Sequence, residues 1–292
     1  MIRIHRHDDV VRLEMSTRRS RTVGVAVSAF LVRGVMIDTG FPGIGDDVER
    51  LLSSERLQGV MVTHWHEDHA GNLDRVVRRG IPVAAHADTL ARSRAAERIP
   101  VYRRWTWGQP LPFSALITPL DVDGLELIAT PGHSADHHVV WDRTTGSLFA
   151  GDLFIGVKVR VAHHDESPRA LVASLRRVLA LQPARVFDAH RGLLPDALAA
   201  LRAKADWTEE IIARVTSMAR EGAPPSRIER EVLGARESTD YVSFGEYSRA
   251  SLVRAILHES SHLAATADVA DAPAARAESG AGGGDADRDA GA

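Results

Sequence analysis

The chain has 292 residues, 44% of them hydrophobic, and a formal net charge of −3. That length accommodates one large domain, or a domain of about 200 residues with a smaller appendage, and the charge offers no general attraction to nucleic acid or anionic lipid. Cysteine is absent, which excludes disulfides and thiolate metal sites, so any tight transition-metal site must use nitrogen and oxygen donors.

The first residues, MIRIHRHDDVVRLEM, are charged throughout and lack the apolar core of a secretory signal. No apolar run approaches the length of about 18 residues that a membrane span needs, so no membrane association and a cytoplasmic location are expected. Residues 23–32 (VGVAVSAFLV) and 34–40 (GVMIDTG) read as strands joined by a turn at Arg33-Gly34. Residues 45–57 read as a helix with an acidic first turn, and 57–64 (LQGVMVTH) as a buried strand. A helix over 71–80 ends at Gly80, and 81–86 (IPVAAH) is the next strand. Residues 86–116 break this alternation with Tyr102, Trp105, Trp107 and Phe113 among Arg, Pro and Gly. They read as an inserted cap or loop whose aromatic residues form either a substrate wall or packing against the body.

Three short strands follow, at LELIATPGH (125–133), HHVVWD (137–142) and SLFAGDLF (147–154). Ser167-Pro168 is an N-cap followed by a proline at the first helical position, opening the amphipathic helix 168–181. ARVFDAH (184–190) is the last strand. Antiparallel runs with interspersed helices predict a sandwich with helices packed outside it. Beyond Pro195, Leu198, Leu201, Ile211, Ile212, Val215 and Met218 recur near a helical period. SRIE (226–229) and SFGE (243–246) both match the capping box. Residues 196–262 therefore read as a helical appendage that forms part of a pocket rim or a homodimer contact. From Leu263 the chain is mostly Ala, Gly and Asp, too poor in bulky apolar groups to offset the entropy of ordering, so 263–292 are expected to be disordered.

The chemistry concentrates in VTHWHEDHAG (62–71), where His64, His66, Asp68 and His69 fall within six positions directly after a buried strand. Residues two apart in an extended segment point the same way, so His64 and His66 can share a metal, while Asp68 and His69 follow as the chain turns. Such a stretch can be a solvated turn, a structural metal clip or half of a catalytic centre. Further along, His133 follows a strand and a Pro-Gly turn, Asp152 follows a strand and a glycine, and His190 ends another strand. Asp38 has the same setting, and polar residues at the tips of apolar strands can gather at one edge of a sandwich.

Together, Asp38, His64-x-His66-x-Asp68-His69, His133, Asp152 and His190 resemble, in order and rough spacing, the five motifs of the metallo-β-lactamase fold superfamily, over about residues 10–195. The resemblance implies an α+β fold, a four-layer αββα sandwich over 1–195, with a dinuclear site at one edge. His64, His66 and His133 would bind one metal, Asp68, His69 and His190 the second, and Asp152 both, with Asp38 orienting ligands. The donor set makes Zn2+ the first choice for the two divalent ions, with iron or manganese as alternatives. A hydroxide bridging them would attack a carbonyl carbon or phosphorus, and Asp68 and Asp152 could handle the proton after attack.

Within the superfamily, Asp152 stands where many zinc β-lactamases have Cys, and His66 stands where flavodiiron enzymes have Glu. TPGHSADH resembles the PGHTxGH segment of glyoxalase II-like hydrolases, with Ala135-Asp136 as a departure. The expected activity is hydrolysis of a thioester, lactone or related carboxylic ester of a small-molecule substrate. A phosphodiesterase or ribonuclease is the first rival, requiring a basic stripe beside the cleft, and an iron-binding redox enzyme is the second. Nucleic acid is the less favoured partner. His163 and His164 read as an exposed loop pair and Lys158 as solvated. Of His137 and His138, one is expected to face solvent. His86, His258 and His262 read as structural or exposed.

Overall fold

Strands that are apolar on both faces need a cover on each side, and that requirement organises this chain. The computed structural model describes residues 1–235 and 243–270. Its first sheet runs in the order β1 (Ile2–His7), β2 (Val10–Met15), β3 (Val27–Val32), β4 (Val35–Ile37), β5 (Gly59–Met61) and β6 (Val83–Ala84). Along β3 to β5 one set of side chains, including Ala29, Met36 and Val60, joins a cluster outside the sandwich. The alternate set, Phe30, Ile37 and Met61, joins Phe149 and Phe187 of the second sheet in the cluster between the sheets. The second sheet has the order β11-β10-β9-β8-β7, comprising β7 (Leu125–Ala129), β8 (His138–Asp142), β9 (Ser147–Phe149), β10 (Arg185–Asp188) and β11 (Gly192–Leu193).

Helices supply the outer layers. Val48 and Leu52 of α2 (Gly45–Ser54) and Val76 and Val77 of α3 (Leu73–Arg78) close the first sheet. Leu175 and Val178 of α4 (Pro168–Ala180) and Leu201 and Ala205 of α5 (Ala197–Arg220) close the second. The expected αββα sandwich is therefore the observed one. A short helix α1 (Arg18–Thr22) precedes β3.

Parallel pairs determine where the loops emerge. β4 pairs in parallel with β5 and β5 with β6, across α2 and α3, while β9 pairs in parallel with β10 across α4, because parallel neighbours need a crossover. The C-terminal ends of these strands consequently lie at common edges. Two hydrogen bonds join the sheets there, from His138 N to Thr63 O (2.8 Å) and from Ser28 N to Ala189 O (2.7 Å).

Several expectations change. The N-terminal segment, read above only as charged, is the hairpin β1–β2, with Ile2 opposite Met15 and His7 opposite Val10. Leu13 and Met15 are buried in the outer cluster and Val10 in the cluster between the sheets, and the charged residues among them mask the alternation. The 86–116 insertion is not a loop, since it contains the helices Ala87–Ala95 and Val101–Trp107. The first ends at Ala96 in the left-handed region (φ 46°) and the second starts after Pro100, so neither shows an amphipathic stripe. Trp107 packs on Phe41 with ring centroids 4.8 Å apart, and Phe113 is buried. Neither capping box forms. Ser226 lies inside the helix Pro225–Ile228, whose cap is Pro224. Ser243 and Glu246 form a turn closed by Glu246 N donating to Ser243 O (3.1 Å). By contrast, Ser167 does cap α4, accepting from Ala170 N (3.2 Å).

The last described helix runs from Arg249 to Ala270. The segment expected to be disordered therefore begins within this helix, and its remainder, 271–292, lies outside the described residues. Among the described residues no helix is long and apolar enough to cross a membrane.

Candidate metal centre

Each donor leaves the end of a strand. Asp38 follows β4 with φ 61°, an uncommon left-handed conformation for a non-glycine residue. His64, His66, Asp68 and His69 occupy the loop after β5, His133 the turn between β7 and β8, and Asp152 and His190 the loops after β9 and β10. Gly151 has φ +49°, and a Cβ there would lie 2.8 Å from His137 Nε2 and 3.0 Å from the Thr63 side chain. Only glycine lets the Asp152 loop approach the His64 loop this closely.

Two groups of donors result. His64, His66, His133 and Asp152 form one, and Asp68, His69, His190 and Asp152 the other, with ligand atoms within each group lying within 4.8 Å of one another. In the first, His66 Nδ1 is 3.0 Å from His64 Nε2 and 2.9 Å from His133 Nε2, and Asp152 Oδ2 is 3.4 Å from His133 Nε2. In the second, Asp152 Oδ1 is 3.1 Å from His69 Nε2 and 3.2 Å from His190 Nε2, with Asp68 Oδ2 3.7 and 3.6 Å from the same atoms. All seven residues singled out as ligands are thus brought together, and the two oxygens of Asp152 face different groups.

The outer nitrogens hold the rings in place. His69 Nδ1 lies 2.8 Å from Asp38 Oδ2, and His190 Nδ1 lies 2.9 Å from Ala26 O. Thr63 Oγ1 donates to Asp38, which leaves it free to accept from His64 Nδ1 at 3.0 Å. With protons assigned to these outer atoms, the inner nitrogens present lone pairs to common points, the arrangement metal-ligating histidines use. Burial, then neighbouring imidazoles, hold His64 and His66 well below the usual range, so both rings are neutral donors. Burial also opposes charge on His69 and His190, but Asp152 and Asp68 outweigh it, raising His69 and taking His190 to about 10. The second group is therefore a place where the field favours positive charge.

His69 Nε2 and Asp152 Oδ1 are buried without a well-aligned hydrogen-bond partner among the described residues, which normally carries a cost. Lone pairs, carboxylates and orphaned polar atoms converging on two points fit a pair of divalent cations bound by nitrogen and oxygen.

Other residues that support the site were not picked out from sequence. His137 is fully buried, accepts from Asp152 N at 3.1 Å and turns Nδ1 to Thr130. Burial takes its pKa down to about 3, keeping it neutral for that role. Asp188 accepts from His190 N (2.8 Å) and Ile155 N (3.0 Å), tying two ligand loops together. Asp136, the departure from the glyoxalase II-like segment, accepts from Trp65 N (2.9 Å) and Thr89 Oγ1 (2.6 Å), so it fixes the His64–His66 loop. A carboxylate shortly after the Gly132-His133 turn is the available sequence signal for Asp136; His137 and Asp188 had none beyond proximity to ligands.

His163 is not an exposed loop residue. It is buried between Asp165 and Glu246, whereas His164 is exposed. Glu246 also accepts from Arg103 (2.9 Å) and Tyr102 (2.6 Å), and Arg103 grips Glu67 of the histidine loop, with Nε 2.7 Å from Oε1. Tyr102 is therefore part of this link and not of a substrate wall. His138 is half-buried with Nδ1 2.8 Å from Asp136 O, and His86 stacks on it at 5.2 Å. His258 and His262 meet each other, and Lys158 is exposed.

The model of the metallo-beta-lactamase superfamily matches residues 22–190, more than half of the chain, and spans every donor from Asp38 to His190. The chain belongs to this superfamily. A "Beta-lactamase-like protein 2 homolog" of Caenorhabditis elegans is 27% identical over 167 residues, 53% of this chain and 51% of that protein. A "Hydroxyacylglutathione hydrolase" of Alkalilimnicola ehrlichii is 31% identical over 155 residues, 51% of this chain and 54% of that protein. The chain thus spans about half the length of these curated relatives. Among solved structures, a metallo-beta-lactamase from Pontibacter korlensis shares the fold with a TM-score of 0.55 at 19% identity, covering 72% of this chain and 99% of that one.

Proposed function

We propose that the chain hydrolyses a thioester, lactone or related carboxylic ester of a small molecule, with its seven donors holding two divalent ions, zinc the first choice. The observation that carries this reading is the setting of the donor edge. His133, Asp152 and His190 line one end of a cavity of about 590 Å³ whose other walls are mainly apolar, including Trp207, Ile211, Leu252 and Ile256. Lys204 and Arg191 are its cationic lining residues, opposed by Glu166. That lining suits an apolar acyl group and offers no basic track for a phosphodiester backbone. The name of the hydroxyacylglutathione hydrolase relative points to the same class of bond.

Bound ions would supply an acidified water and polarise the acyl oxygen. The protein's own contribution is positional. Asp38, Thr63 and Ala26 fix ring orientation, and His137 fixes Asp152 through its backbone. Asp68 stands beside both inner nitrogens of the second group, placed to take the proton released as water adds to the acyl carbon. The C–S or C–O bond then breaks, the acyl carbon keeps the hydroxyl, and the leaving sulfur or oxygen takes the proton. The test is a panel of p-nitrophenyl esters, acyl thioesters, lactones and bis-p-nitrophenyl phosphate, run beside His66→Ala. Turnover of carboxylic substrates that disappears in the variant is expected. Turnover of the phosphodiester alone would overturn the reading.

A further inference from the structure

The pocket wall contains a buried cation that the metal chemistry does not use. On α5, Lys204, Trp207, Thr208 and Ile211 recur at three- and four-residue spacing and so share one face, and all four line the pocket. Lys204 is only 3% exposed. Among the described residues its ammonium has one hydrogen-bond partner, the carbonyl of Phe154, and no carboxylate within 4.0 Å. Phe154 lies two residues beyond Asp152, so this contact places the ammonium beside the loop that carries the shared ligand.

An ammonium has three N–H donors, and leaving donors of a buried charge unmatched is costly. Helix α5 keeps this group inward beside Leu201 and Ala205, which are buried apolar residues. Burial pulls the pKa of Lys204 down to about 8, against the pull of Glu166, Asp188 and Asp152. A charged head in an apolar pocket is best matched by an anionic oxygen brought in by the ligand.

We propose that Lys204 is a specificity-determining residue that binds a carboxylate on the apolar arm of the substrate, making the preferred substrates monothioesters or monoesters that carry a free carboxylate. This rests on the carboxylic-ester reading above. It assigns the far end of the substrate, while the metal edge takes the scissile carbonyl.

Two matched pairs test it on the metal-loaded full chain. Adipoyl and hexanoyl thioesters of one thiol place the carboxylate on the acyl side; hexanoyl thioesters of mercaptopropionic acid and propanethiol place it on the other. The wild type should favour the carboxylated member of one pair by about 10- to 100-fold in kcat/KM, the range of one hydrogen bond to a charged group. Lys204→Met should abolish that ratio while leaving the neutral member and metal content unchanged. Lys204→Gln keeps a donor for the Phe154 carbonyl and should lose the ratio too, which covers a Met variant that folds poorly. An unchanged ratio, or equal slowing of both members, would show that Lys204 only pins Phe154, and the proposal falls. Absence of turnover for all four substrates, with the p-nitrophenyl esters and lactones also left intact, overturns the hydrolase reading instead. Calorimetric titration of the same four compounds then decides on Lys204: tighter binding of a carboxylated member that Lys204→Met removes supports it, and equal affinities reject it.

Discussion

Glu67 and Asp68 are adjacent carboxylates with opposite fates. Asp68 faces the inner nitrogens of His69 and His190, whereas Glu67 turns away into a chain of ion pairs through Arg103 and Glu246 to His163. The donor edge is assembled from strand ends, so its position follows from the sheets. The ion-pair chain links the histidine loop, the insertion, the loop after β9 and the segment before the last helix, and nothing in the sheets requires it. One region makes the chemistry possible, and the other holds the pocket's surroundings to it. A loop read as a metal motif is thus also a structural anchor, through the residue the motif leaves unspecified.

The two regions should break differently. Asp152→Ala removes the one donor common to both groups, so bound metal by elemental analysis and hydrolytic activity should both fall to background, the largest effect expected. Arg103→Met should instead leave Glu67 buried without its cation, while half-buried Glu246 keeps His163. Breaking a buried pair from one side costs about 3–5 kcal/mol, read as a lower denaturant midpoint, with metal stoichiometry kept in the folded fraction. Metal loss in Arg103→Met at full stability would erase the distinction between the regions. Asp38→Asn sits between them, because Asp38 holds His69 Nδ1 directly and His64 through Thr63 without itself facing either group of donors. Loss of a ligand-orienting carboxylate typically costs about 10- to 100-fold in metal affinity, measurable by competition with a chelator.

That contrast also explains what could be read from the chain. His64, His66, His133, Asp152 and His190 were legible because each polar residue interrupts an apolar run, and the same runs made the sandwich legible. The ion-pair chain was not, because Arg103 and Glu246 are 143 residues apart, and an arginine in an aromatic-rich segment has no local period to mark it. Glu246 was misread as a capping residue since Ser-x-x-Glu serves a turn as readily as a helix start. The β1–β2 hairpin was missed because its exposed positions are charged, which hides a two-residue alternation behind overall polarity. Lys204 has no local pattern to mark it; only the packing of α5 shows that its face is turned inward.

Protonation gives a finer probe of the ion-pair chain. Both nitrogens of His163 face carboxylates, Asp165 at Nδ1 and Glu246 at Nε2, with the rings of His164 and Tyr247 packed beside it. Burial lowers the pKa of His163, but its hydrogen bonds to Asp165 and Glu246 outweigh that and raise it above its ordinary 6.5. A raised folded-state value means the stabilisation is complete below 6.5 and is lost as pH rises through that value. Asp165 and Glu246 are shifted the other way, so their contribution fades only as pH falls into the carboxylate range. The stability gap between wild type and His163→Gln, both metal-loaded, should therefore be widest between the carboxylate range and 6.5 and should close on going alkaline. A gap that grows with pH would mean the ring is neutral and the link is not an ion pair.

The smallest effect separates two serines that both read as helix caps from sequence. Ser167 accepts from Ala170 N at the start of α4, the helix that carries the crossover between β9 and β10 and so spaces Asp152 from His190. Ser226 sits in the middle of Pro225–Ile228 with no cap to form. Ser167→Ala should cost about 1 kcal/mol, the usual loss for an N-cap, with a further contribution from its hydrogen bond to Glu259. Ser226→Ala should stay within about 0.5 kcal/mol, as exposed substitutions away from special features do. Chemical denaturation resolves that difference. Equal losses would show that Ser226 caps its helix in solution after all, and with it the start of the segment that leads towards Glu246.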